Sequence, residues 1–256
     1  MLSRILALTY GVFCYLVFFA TFLYAIGFIG NVFVPKTMDS GRVDTLSEAI
    51  VFDIALLALF AIQHSVMARP WFKRMWTRMV PEIVERSTYV LFASLCLALL
   101  FWQWKPIGGV IWQVDGIIGQ GFIWAFYTAG WLIVLMATFL INHFDLFGLR
   151  QVWMYFQGTP YQPIEFQTPG FYRWVRHPLY VGWFFVFWSA TTMTSAHLVF
   201  SVATTLYILL AIRWEERDLV VVYGNTYAQY QASVPMLTPW PRLGNQNEAG
   251  QAMRTR

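Results

Sequence analysis

The sequence predicts an all-α integral membrane protein with about six transmembrane helices and both termini in the cytoplasm. Three observations predict it. Of the 256 residues, 58% are hydrophobic and only 12% charged, which lies outside the range of soluble globular domains. The apolar residues gather in runs long enough to cross a bilayer, separated by polar loops. The seventeen Lys and Arg residues fall unevenly among those loops. An aromatic content of 19%, with thirteen Trp, exceeds what a packed core requires and fits belts at two lipid interfaces. The net charge of +4 does not indicate a nucleic-acid partner, because the basic residues are dispersed rather than gathered in one patch.

Ile5 to Val34 contains no charged residue and follows a single one, Arg4. It reads as the first membrane helix, being far longer than the apolar part of a signal peptide and lacking a small-residue cleavage site. After a polar loop from Pro35 to Ser47, the second span covers about Ala49 to Ala68. It holds Asp53 and His64, which share a face but stand about 16 Å apart along the axis. The Arg69 to Arg86 loop, with Lys73, Arg74 and Arg78, reads as a basic loop at the cytoplasmic surface. The third span, about Ser87 to Trp104, stops at an aromatic and proline cluster ending in Pro106, and a glycine-rich loop leads to the fourth, about Phe122 to Ile141. From His143 to Arg176 the chain is polar for over thirty residues, longer than a connection requires, which marks a functional segment.

The last apolar block, Leu179 to Trp214, is nearly twice as long as one crossing needs. A turn at Thr191 to His197 therefore divides it into a fifth and a sixth span, with His197 as a turn residue. Beyond it, an amphipathic surface helix is expected over Glu216 to Tyr230, and residues 243–256 read as a disordered tail. With six spans, fourteen of the seventeen basic residues lie on one side and Lys36, Arg42 and Lys105 on the other, so the positive-inside rule assigns the basic side to the cytoplasm. Residues 1–145 then form a four-helix region and 146–242 a second region. Cys14 and Cys96 lie inside apolar spans and read as small buried hydrophobes. Nothing has the spacing of metal ligands, and no metal is expected.

Charged edges flank the last apolar block. Before it stands Arg176-His177-Pro178-Leu179-Tyr180-Val181-Gly182-Trp183; after it come Glu215-Glu216-Arg217-Asp218-Leu219, Gly224, Tyr227, Tyr230 and Val234-Pro235. Ionisable groups at a lipid boundary are either interfacial anchors or parts of a functional site. In this order the motifs resemble the C-terminal half of the isoprenylcysteine carboxyl methyltransferase family, over about Gln157 to Trp240. The N-terminal half, with Gln63-His64-Ser65-Val66-Met67-Ala68-Arg69, resembles bacterial NnrU-like relatives, and the whole chain is most similar to those of them that methylate small thiols.

The resemblance implies a multi-pass enzyme of the bacterial inner membrane that uses S-adenosyl-L-methionine in a cytoplasm-facing pocket of its C-terminal half. The implied cofactor residues are Gln157, Glu165 and Gln167 in the Ile164 to Gln167 segment, Tyr172, Arg176, His177, Leu179, Tyr180, Glu215 and Glu216. The implied acceptor is methanethiol, giving dimethyl sulfide. One position departs from the family. The arginine that binds substrate just before the glutamate pair would align with Ala211, and Arg213, the catalytic candidate there, is out of register. That departure disfavours a prenylcysteine carboxylate and suits a small neutral thiol.

Thiol methylation needs a thiolate, and a thiol of pKa about 8.5 or above is mostly protonated at neutral pH. His64 and His143, expected at the same membrane level as His177, are the candidate proton acceptors, because histidine titrates near about 6.5. Each is also readable as a hydrogen-bonding group between helices. Two other readings stand beside thiol methylation: methylation of a prenylcysteine or other lipid-like acceptor, and a non-enzymatic membrane component or transporter. Transport predicts internal repeats, and none is present between the halves.

Overall fold

The computed structural model describes residues 1–43 and 45–239, so the expected tail lies outside the described residues. Five helices are long and apolar enough to cross a membrane: α1 (Leu2–Gly30), α2 (Leu46–Ala68), α4 (Glu82–Gln103), α5 (Ile117–Ile141) and α9 (Ser195–Tyr223). Shorter ones lie between and after them: α3 (Pro70–Trp76), α6 (His143–Leu146), α7 (Leu149–Gln157), α8 (Pro178–Trp188) and α10 (Asn225–Ser233). Two strands, β1 (Val110–Gln113) and β2 (Thr192–Thr194), pair antiparallel. The protein is an all-α integral membrane protein.

The long helices follow the apolar runs, and α4 and α9 extend beyond them into charged sequence at residues 82–86 and 215–218. α1 closes on Asn31, which takes the left-handed conformation at φ 56°, as a helix C-terminus often requires. α8 starts with Pro178 at its first position, where the missing N–H costs nothing and the ring's fixed φ suits a helix. The aromatic surplus is partly core: Phe28, Trp104, Tyr127, Trp131 and Phe200 pack with Leu100, Val186 and Ile212 between the helices.

Contacts between loops define two faces. On one, Arg86 Nε donates to the carbonyl of Leu146, and Arg69 pairs with Asp218 at 2.8 Å. On the other, Lys105 N donates to Asp53 Oδ1, Thr194 Oγ1 donates to Asp39 Oδ1, and β1 meets β2. The chain alternates between these faces, so the start of α1 and the end of α10 share one face.

Three expectations need correction. The fifth span is not a full helix. α8 has 11 residues, about 17 Å at 1.5 Å per residue, against a hydrocarbon core of about 30 Å. Ser189 to Thr191 and β2 complete the crossing, because the β-branched Thr192 and Thr194 pair with β1 instead of extending a helix. The amphipathic helix expected over Glu216 to Tyr230 is divided: α9 runs unbroken to Tyr223, and Gly224, at φ 56° and ψ −132°, turns the chain into α10. Only glycine adopts that backbone conformation readily. His197 is likewise no turn residue. It sits in the first turn of α9, 1% exposed.

α8 is held against α5 by a crossing without side chains. A Cβ on Gly182 would stand 2.8 Å from the carbonyl oxygen of Gly130, and one on Gly130 would stand 2.8 Å from that of Gly182. Helices in lipid have little hydrophobic drive to associate, so small residues that let backbones touch supply the packing. This contact fixes the height of α8, and with it the residues at the start of that helix.

Candidate active site

The start of α8 and the last turns of α9 bring the two charged motifs together. Arg176 Nε donates to Glu216 Oε1 at 2.6 Å, and His177 Nε2 stands 3.0 Å from the same oxygen. Gln231 Nε2, from α10, donates to Glu216 Oε2 at 3.0 Å. Both oxygens of Glu216 are therefore engaged. Tyr180 donates its hydroxyl to Glu215 Oε2 at 2.9 Å, and His177 Nδ1 lies 3.8 Å from that atom. Arg176 and His177 are buried, with relative exposures of 7% and 5%. A buried guanidinium demands partners, and Arg176 has them: Nη1 donates to the carbonyls of Gln231 and Val234 at 3.0 and 2.5 Å.

The Val234-Pro235 motif acts through its backbone. Arg176 N donates to Pro235 O and His177 N to Met236 O, so the segment after α10 lies along the start of α8 like a short strand. Tyr230 donates to Tyr172 O at 2.5 Å, and Tyr172 donates to Ala137 O at 3.4 Å. Burial pushes the Tyr230 phenol up to about 12 and raises those of Tyr172 and Tyr227 well above the ordinary tyrosine value. All three stay protonated at neutral pH and act as hydrogen-bond donors.

Not every expected residue joins this cluster. Gln157, Glu165 and Gln167 are exposed, and Leu179 is half-buried. The 164–167 segment reaches the site through Phe166, whose ring packs against Tyr223, Tyr227 and Tyr230 at centroid distances of 5.2–5.6 Å. Arg213 is exposed and does not pair with Glu216 among the described residues; with Arg217, Val220 and Gln231 it lines an open cavity of about 500 Å³ beside the Glu216 carboxylate.

The two candidate histidines occupy different surroundings. His64, near the end of α2, has the Tyr89 hydroxyl 3.0 Å from both ring nitrogens and stacks on Phe60 at 5.2 Å. Ser65 and Tyr207 hydroxyls meet beside it at 3.0 Å. The Ser65–Tyr207 contact ties the end of α2 to α9, the helix that carries Glu215. His143 instead stands between Tyr15 and Thr138, each 2.9 Å from a ring nitrogen, with its ring stacked on Phe139 at 4.3 Å. Asp145, two residues further on, pairs with Arg150 at 3.0 Å and accepts from Tyr161. Tyr89, Tyr207 and Gln231 were not legible as site residues: two look like belt aromatics, and the third sits in a helix without apolar periodicity.

Burial lowers the His143 pKa. The unfolded chain, with histidine near about 6.5, therefore binds the proton first as pH falls. The stability that neutral His143 contributes is present above about pH 6.5 and lost below it. Thermal unfolding of His143→Gln between pH 7 and pH 5 is expected to show a shallower fall in Tm than wild type; an unchanged slope would show that His143 is not held neutral.

The fold and the cluster define a multi-pass, all-α membrane protein with a paired Arg-His and Glu-Glu centre at one membrane face. The chain is 57% identical over 239 residues to the methanethiol S-methyltransferase of Crocosphaera subtropica, covering 93% of this chain and 94% of the relative. It is 50% identical to that of Mycobacterium tuberculosis over 94% of this chain and 98% of the relative, and 50% identical to methanethiol S-methyltransferase 1 of Bradyrhizobium diazoefficiens over 93% and 84%. No family model matches the chain, and no solved structure does. The chain belongs to the methanethiol S-methyltransferase family.

Proposed function

We propose that this protein methylates methanethiol to dimethyl sulfide with S-adenosyl-L-methionine as donor, at a site on the cytoplasmic face of the bacterial inner membrane. The observation that carries the reading is the meeting of Arg176 and His177 with Glu215 and Glu216 beside an open cavity, in a chain of this family. The orientation rests on the uneven division of the basic residues.

The cavity wall, with the elements next to it, offers groups that fit such a donor. A volume of about 500 Å³ falls within the usual size of small-molecule sites. Glu215, tied through one oxygen to Tyr180, offers a carboxylate to a sulfonium charge. Arg213 and Arg217 on the cavity wall offer donors to a carboxylate, and Phe166 with Tyr223 and Tyr227 offers aromatic faces to a purine. Gln157, Glu165 and Gln167 are on the neighbouring segment, where a ribose would find hydrogen-bonding groups. Glu216 has no free oxygen; its role is to hold Arg176, His177 and Gln231 in register, while Tyr172 and Leu179 flank Arg176 and His177 in the chain. When bound, S-adenosyl-L-methionine supplies an electrophilic methyl group on a cationic sulfur.

His64 takes the thiol proton. It is favoured over His143 because among the described residues it meets a single hydroxyl, that of Tyr89, whereas the two nitrogens of His143 are occupied by two different hydroxyls. Deprotonation would leave a thiolate beside the Phe60 and Tyr89 rings that pack on His64, where loss of hydration makes it strongly nucleophilic. His64→Ala is expected to slow turnover at neutral pH by about 100-fold or more, and to recover part of the loss as pH rises toward the thiol's own pKa. Full activity of His64→Ala across neutral pH would remove its role as base.

The direct test is headspace detection of dimethyl sulfide from detergent-purified protein given S-adenosyl-L-methionine and methanethiol. Product from wild type supports the reading. Calorimetric binding of S-adenosyl-L-methionine without product would keep the donor site and reject the acceptor. Absence of both in well-folded protein would reject methyl transfer altogether.

A further inference from the structure

The face opposite the charged cluster carries a second cavity that methyl transfer does not use. It has a volume of about 440 Å³ and lies between the end of α1, the loop around Asp39, the segment after α8 and the start of α9. Its wall is rich in acceptors. Asp39 is half-buried there, fixed by Asn31 Nδ2, which donates to Oδ2 at 2.7 Å, and by Thr194 Oγ1, which donates to Oδ1 at 2.5 Å. Both donors are neutral, so the carboxylate's charge is hydrogen-bonded but not neutralised by them. His197 also lines the cavity, 1% exposed. Its Nε2 stands 3.0 Å from the carbonyl of Phe187 and must donate to it, because a carbonyl only accepts. That leaves Nδ1 as a buried acceptor, and it has no hydrogen-bond partner among the described residues.

The helix ends point the same way. Gly30 closes α1 and Ser189 follows α8, and both line the cavity, so the negative ends of two helix dipoles converge on it. The start of α9 opposes them with a positive end, but its cap, Thr194, is turned to Asp39 and accepts from His197 N. Trp124 adds an aromatic surface. An unneutralised carboxylate, an orphaned imidazole nitrogen, two helix C-termini and an indole together call for a cation that donates hydrogen bonds.

We propose that this cavity binds a primary ammonium group, and that its source is the ethanolamine headgroup of a phospholipid. An ammonium carries three donors and one charge, which matches His197 Nδ1, the Asp39 carboxylate and the hydroxyls around them. The far-face loops that build the cavity lie at the membrane boundary, where such headgroups are concentrated. A phosphatidylglycerol headgroup, being anionic without a compensating cation, is rejected by the same field.

The test uses full-length protein, purified in detergent, stripped of lipid and unfolded by heat with tryptophan fluorescence as the signal. It is given dioleoylphosphatidylethanolamine, dioleoylphosphatidylglycerol or free ethanolamine. The ethanolamine lipid is expected to raise Tm by about 5 °C at a hundredfold excess over its Kd, and the glycerol lipid to leave it unchanged. Asp39→Asn removes the charge, and Thr191→Leu fills the cavity while sparing the Asp39 contacts; each is expected to abolish the shift. If Asp39→Asn does not fold, Thr191→Leu decides alone. A shift from free ethanolamine but not from the lipid would support the ammonium site and assign its source to a soluble amine. Equal shifts from both lipids, a shift that survives in the folded variants, or no shift in any arm would overturn the proposal.

Discussion

Glu216→Ala is expected to abolish dimethyl sulfide production, with a fall in rate of about 100-fold or more, and to lower stability as well. The carboxylate binds three side chains at once: Arg176 at 2.6 Å, His177 at 3.0 Å and Gln231 at 3.0 Å. Its removal strands a guanidinium whose side chain is 6% exposed. Breaking one partner out of a buried pair costs about 3–5 kcal/mol, because the remaining charge loses its compensation. If even 3 kcal/mol of that appears as misalignment of the site, the rate falls by more than about 100-fold. Glu215→Gln provides the contrast. The Glu215 side chain is 42% exposed and bonds mainly to Tyr180, so its loss is expected to cut activity while leaving Tm close to wild type. Headspace assay and thermal unfolding on the same preparations separate the two. If Glu215→Gln were fully active, Glu215 would not face the methyl donor. If Glu216→Ala were as stable and as active as wild type, the centre would not depend on the carboxylate.

The contrast between the two glutamates was not legible from their adjacency. Arg213 stands one helical turn before Glu216, yet Arg176, forty residues away, takes the carboxylate. Burial decides between them. Arg213 is exposed and keeps its water, whereas Arg176 has none to keep and must be satisfied by protein groups. The long helices, by contrast, were readable in number and place, though not in their ends, because a run of apolar side chains in lipid leaves the backbone no choice but to bond within itself. The reading failed where crossing was shared between helix and strand, at α8 and β2, since block length counts residues and not the rise of the backbone. It also failed for Tyr89 and Tyr207, because a tyrosine that holds a histidine and one that anchors at the interface have the same sequence surroundings.

Gly182→Leu is expected to have the largest effect on the fold. A Cβ at this position would meet the Gly130 carbonyl oxygen at 2.8 Å and the Val134 amide nitrogen at 2.9 Å, and both are backbone atoms of α5 that no rotamer change can move. Overpacking a close contact costs about 1–3 kcal/mol when side chains can adjust. Here the helices themselves must separate. Gly182→Ala is expected to lower Tm by about 5 °C or more, and Gly182→Leu to prevent recovery of monodisperse protein. Gly121→Ala, also in α5 but with nothing within 4 Å of its added Cβ, is the matched control and is expected to leave Tm unchanged or slightly raised. The consequence reaches the chemistry through geometry. α8 starts at Pro178, directly after Arg176 and His177, so moving α8 off α5 moves both residues relative to the glutamates on α9. Any folded Gly182→Ala protein is therefore expected to lose activity at temperatures where it is still intact. Wild-type activity in a variant of lowered Tm would show instead that the segment after α10, which bonds the backbones of Arg176 and His177, holds the centre together without help from the helix crossing.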